Sequence, residues 1–314
     1  MTRKKLISIV TPTYNEIENI EELLRRVKLA IQDLESYDFE ILVIDNSSED
    51  GTQEKLRELA KADSRLKVIL NARNFGHIRS PYYGILQSTG DATIYLASDL
   101  QDPPEMIPQL LREWENGWKL VMAIKPVSKS SPFMHFIRRT YYRFIDRISD
   151  IPIVKDSTGF GLYDKIVLDK LRQIADPYPF LRGLICELGY EVKTIPFVQP
   201  RRLGGITKNN FYTLFDIAML GMVSHSKVPI RIAALVGFIL GFLSVLTAFI
   251  YLMLKLLFWD SFPLGGAPVV IGLFFLFGVQ LFFIGILGEY IGSIHTYVQN
   301  RPIVVVKEKI NFNE

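Results

Sequence analysis

Two long stretches without a charged residue or a histidine occupy the C-terminal third of this chain. Ile232–Leu254 has 23 residues and Ser261–Gly288 has 28. At about 1.5 Å of rise per residue, a helix of the shorter length reaches roughly 34 Å, more than the roughly 30 Å hydrocarbon core of a bilayer. We therefore expect two transmembrane helices. The alternative is a helical hairpin buried in the core of a large soluble protein.

The charges that flank the two stretches predict their orientation. Arg231 precedes the first stretch, and Arg301 and Lys307 follow the second. The loop between them, Trp259–Ala267, contains no lysine or arginine. Because positive residues accumulate on the cytoplasmic side, we expect a multi-pass protein of the cell inner (plasma) membrane, with both chain ends and the domain that precedes the two stretches in the cytoplasm. The single cysteine cannot form an internal disulfide, which fits a reducing compartment.

The first two hundred residues alternate between short apolar runs and helical patterns, which predicts βαβ units and a largely parallel sheet. Ligands of such sheets bind outside the carboxyl ends of the strands. The expected strands are Leu6–Thr11, Phe39–Ile44, Leu66–Leu70, Ala92–Leu96 and Lys119–Ile124. The expected helices are Ile17–Leu34, Thr52–Ala62, Ile78–Ser88 and Pro104–Glu115. The polar clusters that follow the strands, and that are expected to form an active-site crevice, are Thr11–Glu16, Asp45–Thr52, Arg73–His77 and Ser98–Asp102.

Two further segments combine apolar residues at helical spacing with nearby cations. Pro132–Ser149 carries four arginines, and Asn209–Ser226 is followed by a lysine. Their position near the apolar stretches favours helices in the membrane interface, and the alternative is core helices with a solvated face. The expected organisation is a catalytic domain at 1–208 that includes an amphipathic interfacial helix at 131–149, a juxtamembrane amphipathic helix at 209–227, a two-helix transmembrane region at 228–292 and a cytoplasmic tail at 293–314.

Asp99 and Gln101 are the residues of the predicted crevice best suited to a metal ion. One carboxylate with a neighbouring amide oxygen is a poor cage alone. It suits Mg²⁺ or Mn²⁺, which complete their octahedron with substrate phosphates and water. An aspartate at a strand end also commonly caps the following turn, so the pattern by itself leaves both roles open.

Four polar segments share one order and spacing along the chain: Thr11–Glu16, Val43–Thr52, Arg73–Gly76 and Ser98–Glu105. Taken together they resemble family-two glycosyltransferases, which implies an α/β GT-A fold, Rossmann-like with a mostly parallel sheet. The Asp-Leu-Gln-Asp-Pro-Pro-Glu run, with two apolar stretches after it, is most similar to polyisoprenyl-phosphate glycosyltransferases, relatives of the dolichol-phosphate mannose synthases. Asp156–Asp164 resembles the bactoprenol glucosyltransferase branch.

The resemblance implies roles for residues along the whole chain. The nucleotide sugar would be bound by Pro12, Tyr14, Glu16, Asp45, Ser98 and Asp99. The divalent ion would be bound by Asp99 and Gln101, and phosphates by Arg202 and Lys208. Asp156 would orient the acceptor or act as a nominal base. The cations and apolar residues of the two amphipathic segments, and not the resemblance, lead us to expect that these helices present a lipid acceptor through Arg138, Arg139 and Phe215.

This chain departs from the family pattern in three places. The usual Asp-x-Asp of the metal loop is Ala97-Ser98-Asp99, so Asp99 must act without its partner. The second aspartate of Asp-Asp-Gly-Ser is Asn46. The usual Gly-Asp-Phe-Arg is Thr158-Gly159-Phe160-Gly161, which leaves Asp156 as the remaining candidate acid of that segment.

The implied function is inverting transfer of glucose from UDP-glucose to a polyprenyl (undecaprenyl) phosphate on the cytoplasmic leaflet. The expected partners are a nucleotide sugar, the polyprenyl phosphate, the membrane and a possible second copy of the chain. A net charge of only +3 gives no case for a nucleic acid. The alternatives are GDP-mannose or a UDP-amino sugar as donor, a processive polysaccharide synthase, and a catalytically silent membrane scaffold.

Overall fold

The first two hundred residues contribute seven strands to an eight-stranded sheet, and the eighth strand comes from the C-terminal segment. The structure, a computed structural model, describes residues 3–125, 154, 157–174, 176–200, 228–258, 266–299 and 301–312. The strands are β1 (Lys5–Thr13), β2 (Tyr37–Asp45), β3 (Leu66–Asn71), β4 (Ala92–Tyr95), β5 (Leu120–Ile124), β6 (Ser157–Asp164), β7 (Val192–Pro196) and β8 (Val306–Ile310). The helices are α1 (Ile20–Ile31), α2 (Thr52–Ala62), α3 (Gly76–Leu86), α4 (Ile107–Glu115), α5 (Lys165–Gln173), α6 (Leu181–Glu187), α7 (Val228–Leu257) and α8 (Gly266–Val298).

The sheet has the order β7-β5-β6-β4-β1-β2-β3-β8. Strands β4, β1, β2 and β3 run parallel, and β6 pairs antiparallel with both β4 and β5. The expected α/β architecture with a mostly parallel sheet is therefore confirmed. All five predicted strands are present, and the predicted helix Pro104–Glu115 begins with a short 3₁₀ turn before α4.

The apolar runs of the strands are buried on both faces of the sheet. In β2, Ile41 and Val43 face a core formed with α1, α2 and α4, whereas Leu42 and Ile44 face a core formed with α3, α5 and α6. Near-continuous apolar runs are typical of parallel strands covered by helices on both sides. The two layers of helices leave the carboxyl ends of β1, β2, β3 and β4 at a common edge.

The C-terminal segment differs from the expected tail. Helix α8 continues to Val298, and β8 pairs antiparallel with β3. The side chain of Asn311 donates hydrogen bonds to the backbone oxygens of Ala60 (2.7 Å) and Leu66 (2.9 Å). The physical reason is the open edge of β3, whose unpaired backbone groups bind any strand within reach. Residues 306–310 thus belong to the catalytic domain instead of to a separate tail.

Helices α7 and α8 are long and apolar enough to cross a membrane, over Ile230–Tyr251 and Phe275–Val298. In the most apolar window of each span, 6% of the residues of the first and none of the second are buried. Large side chains such as Phe238 and Phe282 are exposed. The alternative of a hairpin buried in a soluble core disagrees with this exposure. The two amphipathic helices expected at 131–149 and 209–227 lie outside the described residues.

Candidate active site

A cavity of about 320 Å³ opens at the carboxyl ends of β1 and β4. Pro12 and Tyr14, two of the predicted nucleotide-sugar residues, line it. The hydroxyl of Thr13, another lining residue, is buried and has no hydrogen-bond partner in the described part of the chain. The remaining lining residues are Asn46, Asn74, Gly76, His77, Ser80, Pro81 and Tyr95. The cavity is thus a polar crevice at the edge of the sheet where the sequence predicts one.

The loops after β1 and β2 are fastened to each other beside this cavity. The backbone N–H of Asn15 donates to Ser48 Oγ (2.8 Å), and the side-chain oxygen of Asn15 accepts from the N–H of Glu49 (2.9 Å). Asn15 and Ser47 both have positive φ, at 53° and 66°. This region is uncommon for residues other than glycine, so these bonds hold the two loops in a specific conformation.

Asp45 organises the β2–α2 loop from a fully buried position. Its Oδ1 accepts from the N–H of Ser48 and from Gln53 Nε2, both at 2.9 Å, and its Oδ2 accepts from the Ser48 hydroxyl. Burial raises the pKa of the Asp45 carboxyl, although these hydrogen bonds favour its charged form. Asp45 is not among the lining residues of the cavity. Its contact with the nucleotide base stays a prediction.

Asn46 explains one departure from the family pattern. Its Nδ2 donates to Asn74 Oδ1 (2.8 Å) and to the carbonyl of Gly76 (3.2 Å), while its Oδ1 accepts from the N–H of Phe75 (2.9 Å). An ionised aspartate accepts hydrogen bonds but donates none. The amide at this position therefore joins the end of β2 to the β3–α3 loop in a way that a carboxylate could not.

Glu16 lies four residues before the first residue of α1 and is buried. Its Oε2 accepts from Asn19 Nδ2 at 2.6 Å, and its backbone N–H donates to Thr52 Oγ1 at 3.2 Å. It does not line the cavity. A role in nucleotide binding stays a prediction for Glu16.

The predicted metal residues share one tight turn after β4. Asp99 is half-buried, and its Oδ1 accepts from the N–H of Gln101 at 3.2 Å. Between them, Leu100 has a φ of 59° and is buried. Gln199 Nε2 donates to Gln101 Oε1 at 3.3 Å, and Gln199 in turn accepts from Lys125 Nζ at 2.6 Å. The structure thus brings Asp99 and Gln101 together and places a lysine one side chain away. Ser98, the residue before Asp99, is buried.

Asp102 adds a second carboxylate to this loop. Its Oδ2 accepts from the N–H of Ala97 at 3.0 Å. Burial raises the pKa of the Asp102 carboxyl to about 7, and the nearby charge of Asp99 acts in the same direction. Two interacting carboxylates and an amide oxygen are ligands that suit Mg²⁺ or Mn²⁺. No group of three or more His, Cys, Asp or Glu that could hold a metal occurs among the described residues. An ion held by this loop would take its further oxygens from substrate phosphates and water.

A second cavity, of about 160 Å³, adjoins the first. The two share His77, Pro81 and Tyr95. The other lining residues are Ile78, Tyr82, Thr158, Gly159, Pro179, Phe180, Leu181 and Arg182. The crevice therefore continues from the end of β1 towards β6 and α6.

Sequence reasoning missed several lining residues of the first cavity. Asn74 and His77 belong to the polar cluster Arg73–His77, which the sequence analysis expects after a strand. That cluster was the signal from which these two residues could have been predicted. Tyr95 is the last residue of β4 and lies inside the predicted strand Ala92–Leu96, where an aromatic residue predicts only a core position. The other predicted site residues lie outside the described residues, so their roles stay predictions: Asp156, Arg202, Lys208, Arg138, Arg139 and Phe215.

Comparisons with known proteins bear on this site. The model of the family "Glycosyl transferase family 2" matches residues 8–172. An uncharacterised glycosyltransferase from Bacillus subtilis is 33% identical over 311 residues, which are 98% of this chain and 95% of that protein. A prophage-derived bactoprenol glucosyl transferase from Shigella flexneri is 32% identical over 306 residues, covering 96% of this chain and 97% of the relative. The structure of a mannosyltransferase from Pyrobaculum calidifontis, solved with GDP-Man and Mn²⁺, matches with a TM-score of 0.47 at 16% identity. The match covers 95% of this chain and 88% of the mannosyltransferase chain.

Proposed function

This chain belongs to glycosyl transferase family 2, and from that premise we propose that it transfers a sugar from a nucleotide sugar to a polyprenyl phosphate at a membrane. One observation carries the proposal. A polar crevice at the carboxyl edge of a largely parallel sheet and two unburied apolar helices occur in the same chain. A water-soluble donor fits the crevice, and a lipid acceptor fits the helices. The bactoprenol glucosyl transferase of Shigella flexneri, whose name gives a polyprenol as its acceptor, matches nearly the whole chain.

The finer proposal is that glucose is transferred from UDP-glucose on the cytoplasmic leaflet, with inversion at the anomeric carbon. The glucosyl transferases among the relatives support glucose. The proposal places Pro12 and Tyr14 on the wall of the nucleotide site, with the unpartnered hydroxyl of Thr13 available to a ligand. GDP-mannose or a UDP-amino sugar would use the same crevice and stays the alternative donor.

The reaction needs little help from a base. The second ionisation of a phosphate monoester has a pKa of about 6, so the acceptor phosphate is largely a dianion near pH 7. Its oxygen forms a bond to the anomeric carbon while the bond from that carbon to the diphosphate oxygen breaks. Attack opposite the leaving group inverts the centre, so an α-linked donor gives a β-linked product. Asp156 is proposed to orient the acceptor.

The main task of the protein is to position the reactants and to offset the charge of the leaving diphosphate. Asp99 and Gln101 would hold a Mg²⁺ or Mn²⁺ ion, which supplies positive charge to the departing diphosphate when bound. Arg202 and Lys208 are proposed to bind phosphate oxygens. Hydrogen bonds of Asn15 and Asn46 join the loops around the crevice to one another, which would help to hold the reactants in position.

A catalytically silent scaffold is the second candidate, and the alanine at position 97 is the observation that favours it. The test is to incubate the purified full chain in detergent with Mg²⁺ or Mn²⁺, a short polyprenyl phosphate and a panel of labelled nucleotide sugars. We expect labelled lipid, with kcat/KM for UDP-glucose at least about tenfold above that for the other donors. Preference for another donor would correct the sugar alone, whereas silence with every donor would favour the scaffold.

A further inference from the structure

We propose that Arg182 binds the phosphate of the acceptor, in the smaller of the two cavities. This proposal rests on the proposed function. Its starting point is the continuity of the crevice, because the cavity that contains Arg182 shares His77, Pro81 and Tyr95 with the cavity beside β1. A group bound near Arg182 would therefore adjoin a group bound next to Pro12 and Tyr14.

Arg182 is held in place by described residues that carry no negative charge. Its Nη1 donates to the backbone oxygen of Ser157 at 3.0 Å, and its guanidinium lies 5.3 Å from the centroid of the Phe180 ring. In the described part of the chain, no carboxylate pairs with it. A guanidinium has five N–H donors in a planar fork that matches a phosphate, and the bond to Ser157 uses one of them. Within the described residues no other acceptor pairs with Arg182, and we expect a ligand phosphate to accept from the remaining donors.

Arg182 brings a positive charge into this crevice. Of the described residues that line the two cavities, Arg182 alone carries a permanent positive charge. It is half-buried, and buried charges are costly unless a counter-charge accompanies them. The nearby Tyr95 and Tyr163 cannot supply one, because burial raises the pKa of both hydroxyls well above the usual value. An anionic ligand in this cavity would pair with the charge of Arg182.

The position of Arg182 favours the acceptor over the diphosphate of the donor. Its anchor, Ser157, is the first residue of β6 and follows directly on Asp156, the residue predicted to orient the acceptor. The loop before α6 begins near Asp176, whose Oδ2 accepts from the hydroxyl of Tyr297 at 3.1 Å. Tyr297 lies in the last turn of α8. Pro179 and Phe180, which line the smaller cavity, belong to this same loop, so we propose that a lipid phosphate reaches the cavity from the end of the membrane span.

The test compares the KM values of the full-length enzyme for its two substrates. In Arg182→Gln, we expect the KM for a short polyprenyl phosphate to rise by on the order of tenfold or more, with the KM for the nucleotide sugar nearly unchanged. Arg182→Lys should recover part of the loss, because it restores the charge but not the fork. Arg112→Gln, an exposed arginine on α4, is the matched control and should change neither value.

Binding without turnover separates this proposal from the proposed function. The probe is the same short polyprenyl phosphate, titrated into protein without donor, with the corresponding polyprenyl alcohol as control. We expect wild-type protein to prefer the phosphate and Arg182→Gln to lose that preference, even if no donor proves active. A rise in the donor KM alone would assign Arg182 to the diphosphate and overturn the proposal. Unchanged phosphate binding in a folded Arg182→Gln protein would also overturn it.

Discussion

Backbone strain is concentrated in the loops of the candidate site. Four non-glycine residues in the described part of the chain have positive φ, and three of them follow β1, β2 and β4: Asn15, Ser47 and Leu100. Such conformations cost on the order of 1–3 kcal/mol each and persist only where the surroundings enforce them. Here the Asn15–Ser48 bond and the burial of Leu100 enforce them. The site is therefore built to keep its loops in one arrangement.

Asp99→Ala tests the residue on which the metal proposal depends. One carboxylate disappears from a loop already short of them, so divalent-dependent turnover should fall by at least about a hundredfold. Turnover is measured as labelled lipid formed at increasing Mg²⁺ or Mn²⁺. Asp33→Ala, at an exposed position after α1, should behave as the wild type does. Near-normal turnover of Asp99→Ala would remove Asp99 from the mechanism.

The sequence predicts which residues meet at the site better than it predicts what each one contacts. The pairing of Asp99 with Gln101 follows from their spacing in one loop. The burial of Asp45 against Ser48 and Gln53 depends on how the β2–α2 loop folds back onto the end of β2, which the sequence pattern does not show. For the same reason, the role of Asn46 as a donor to the β3–α3 loop is visible only in three dimensions.

At the scale of secondary-structure elements, Glu40 joins four neighbouring parts of the sheet. Its carboxylate accepts from Ser8 in β1, from Lys67 Nζ in β3 (2.6 Å) and from the N–H of Thr89 before β4 (2.8 Å). Burial raises the pKa of the Glu40 carboxyl, but these hydrogen bonds outweigh burial and leave that pKa below its ordinary value. The charged form of Glu40 thus stabilises the folded protein.

Glu40→Gln should lower the free energy of unfolding by about 1–3 kcal/mol at pH 7, because a buried network loses its charged member. Since the pKa of Glu40 is lower in the folded state, its contribution is present above the unfolded pKa of about 4.3 and is lost as the pH falls through the folded value. The difference between variant and wild type should therefore shrink below about pH 4. Denaturant unfolding of both proteins at several pH values measures this difference in the free energy of unfolding. Asp38→Asn, exposed on the same strand, is the control, and an equal loss there would refute the argument.

Strand β8 should contribute to the stability of the catalytic domain. Asn311→Ala removes the side-chain hydrogen bonds that join the end of β8 to the backbone oxygens of Ala60, Asp63 and Leu66. A loss of about 1–2 kcal/mol should lower Tm by several degrees. Asn116→Ala, at an exposed position after α4, should leave Tm unchanged. Equal Tm values for both variants would mean that β8 does not stabilise the sheet.

A secondary-structure element was predictable where a local sequence pattern determines it. Strand β8 was not predictable in this way. Helix α2 has the predicted bounds Thr52–Ala62, because its apolar spacing and the preceding glycine are both local signals. The segment Val306–Ile310 carries alternating charges, which suit either a solvated tail or an edge strand. Its pairing partner, β3, lies more than two hundred residues earlier in the chain, and only the folded structure identifies it.

At the scale of the whole molecule, the exposed apolar surface of α7 and α8 needs an environment other than water. Side chains such as Phe238, Val245 and Leu281 are at least two-thirds exposed, and exposed apolar surface of this extent is typical of membrane contact. The sequence predicts these helices from length and composition alone. It does not predict that Tyr297, at the end of α8, contacts Asp176 of the catalytic domain.

A topology experiment tests the membrane proposal. A reporter inserted in 259–267 should lie on the side of the membrane opposite to reporters at either chain end, because both apolar helices span the bilayer. Protease protection in sealed vesicles measures this. Finding all three reporters on the same side would contradict the two-span arrangement.

The most direct test of the central claim is the mass of the lipid product. The purified protein is incubated with UDP-glucose, a divalent ion and either undecaprenyl phosphate or undecaprenol, and the lipid fraction is analysed by mass spectrometry. The account predicts that the phosphate gains one hexose and that the alcohol gains none, because the phosphate is the attacking group. A lipid fraction without added hexose, or an alcohol that accepts hexose as readily as the phosphate, would contradict it.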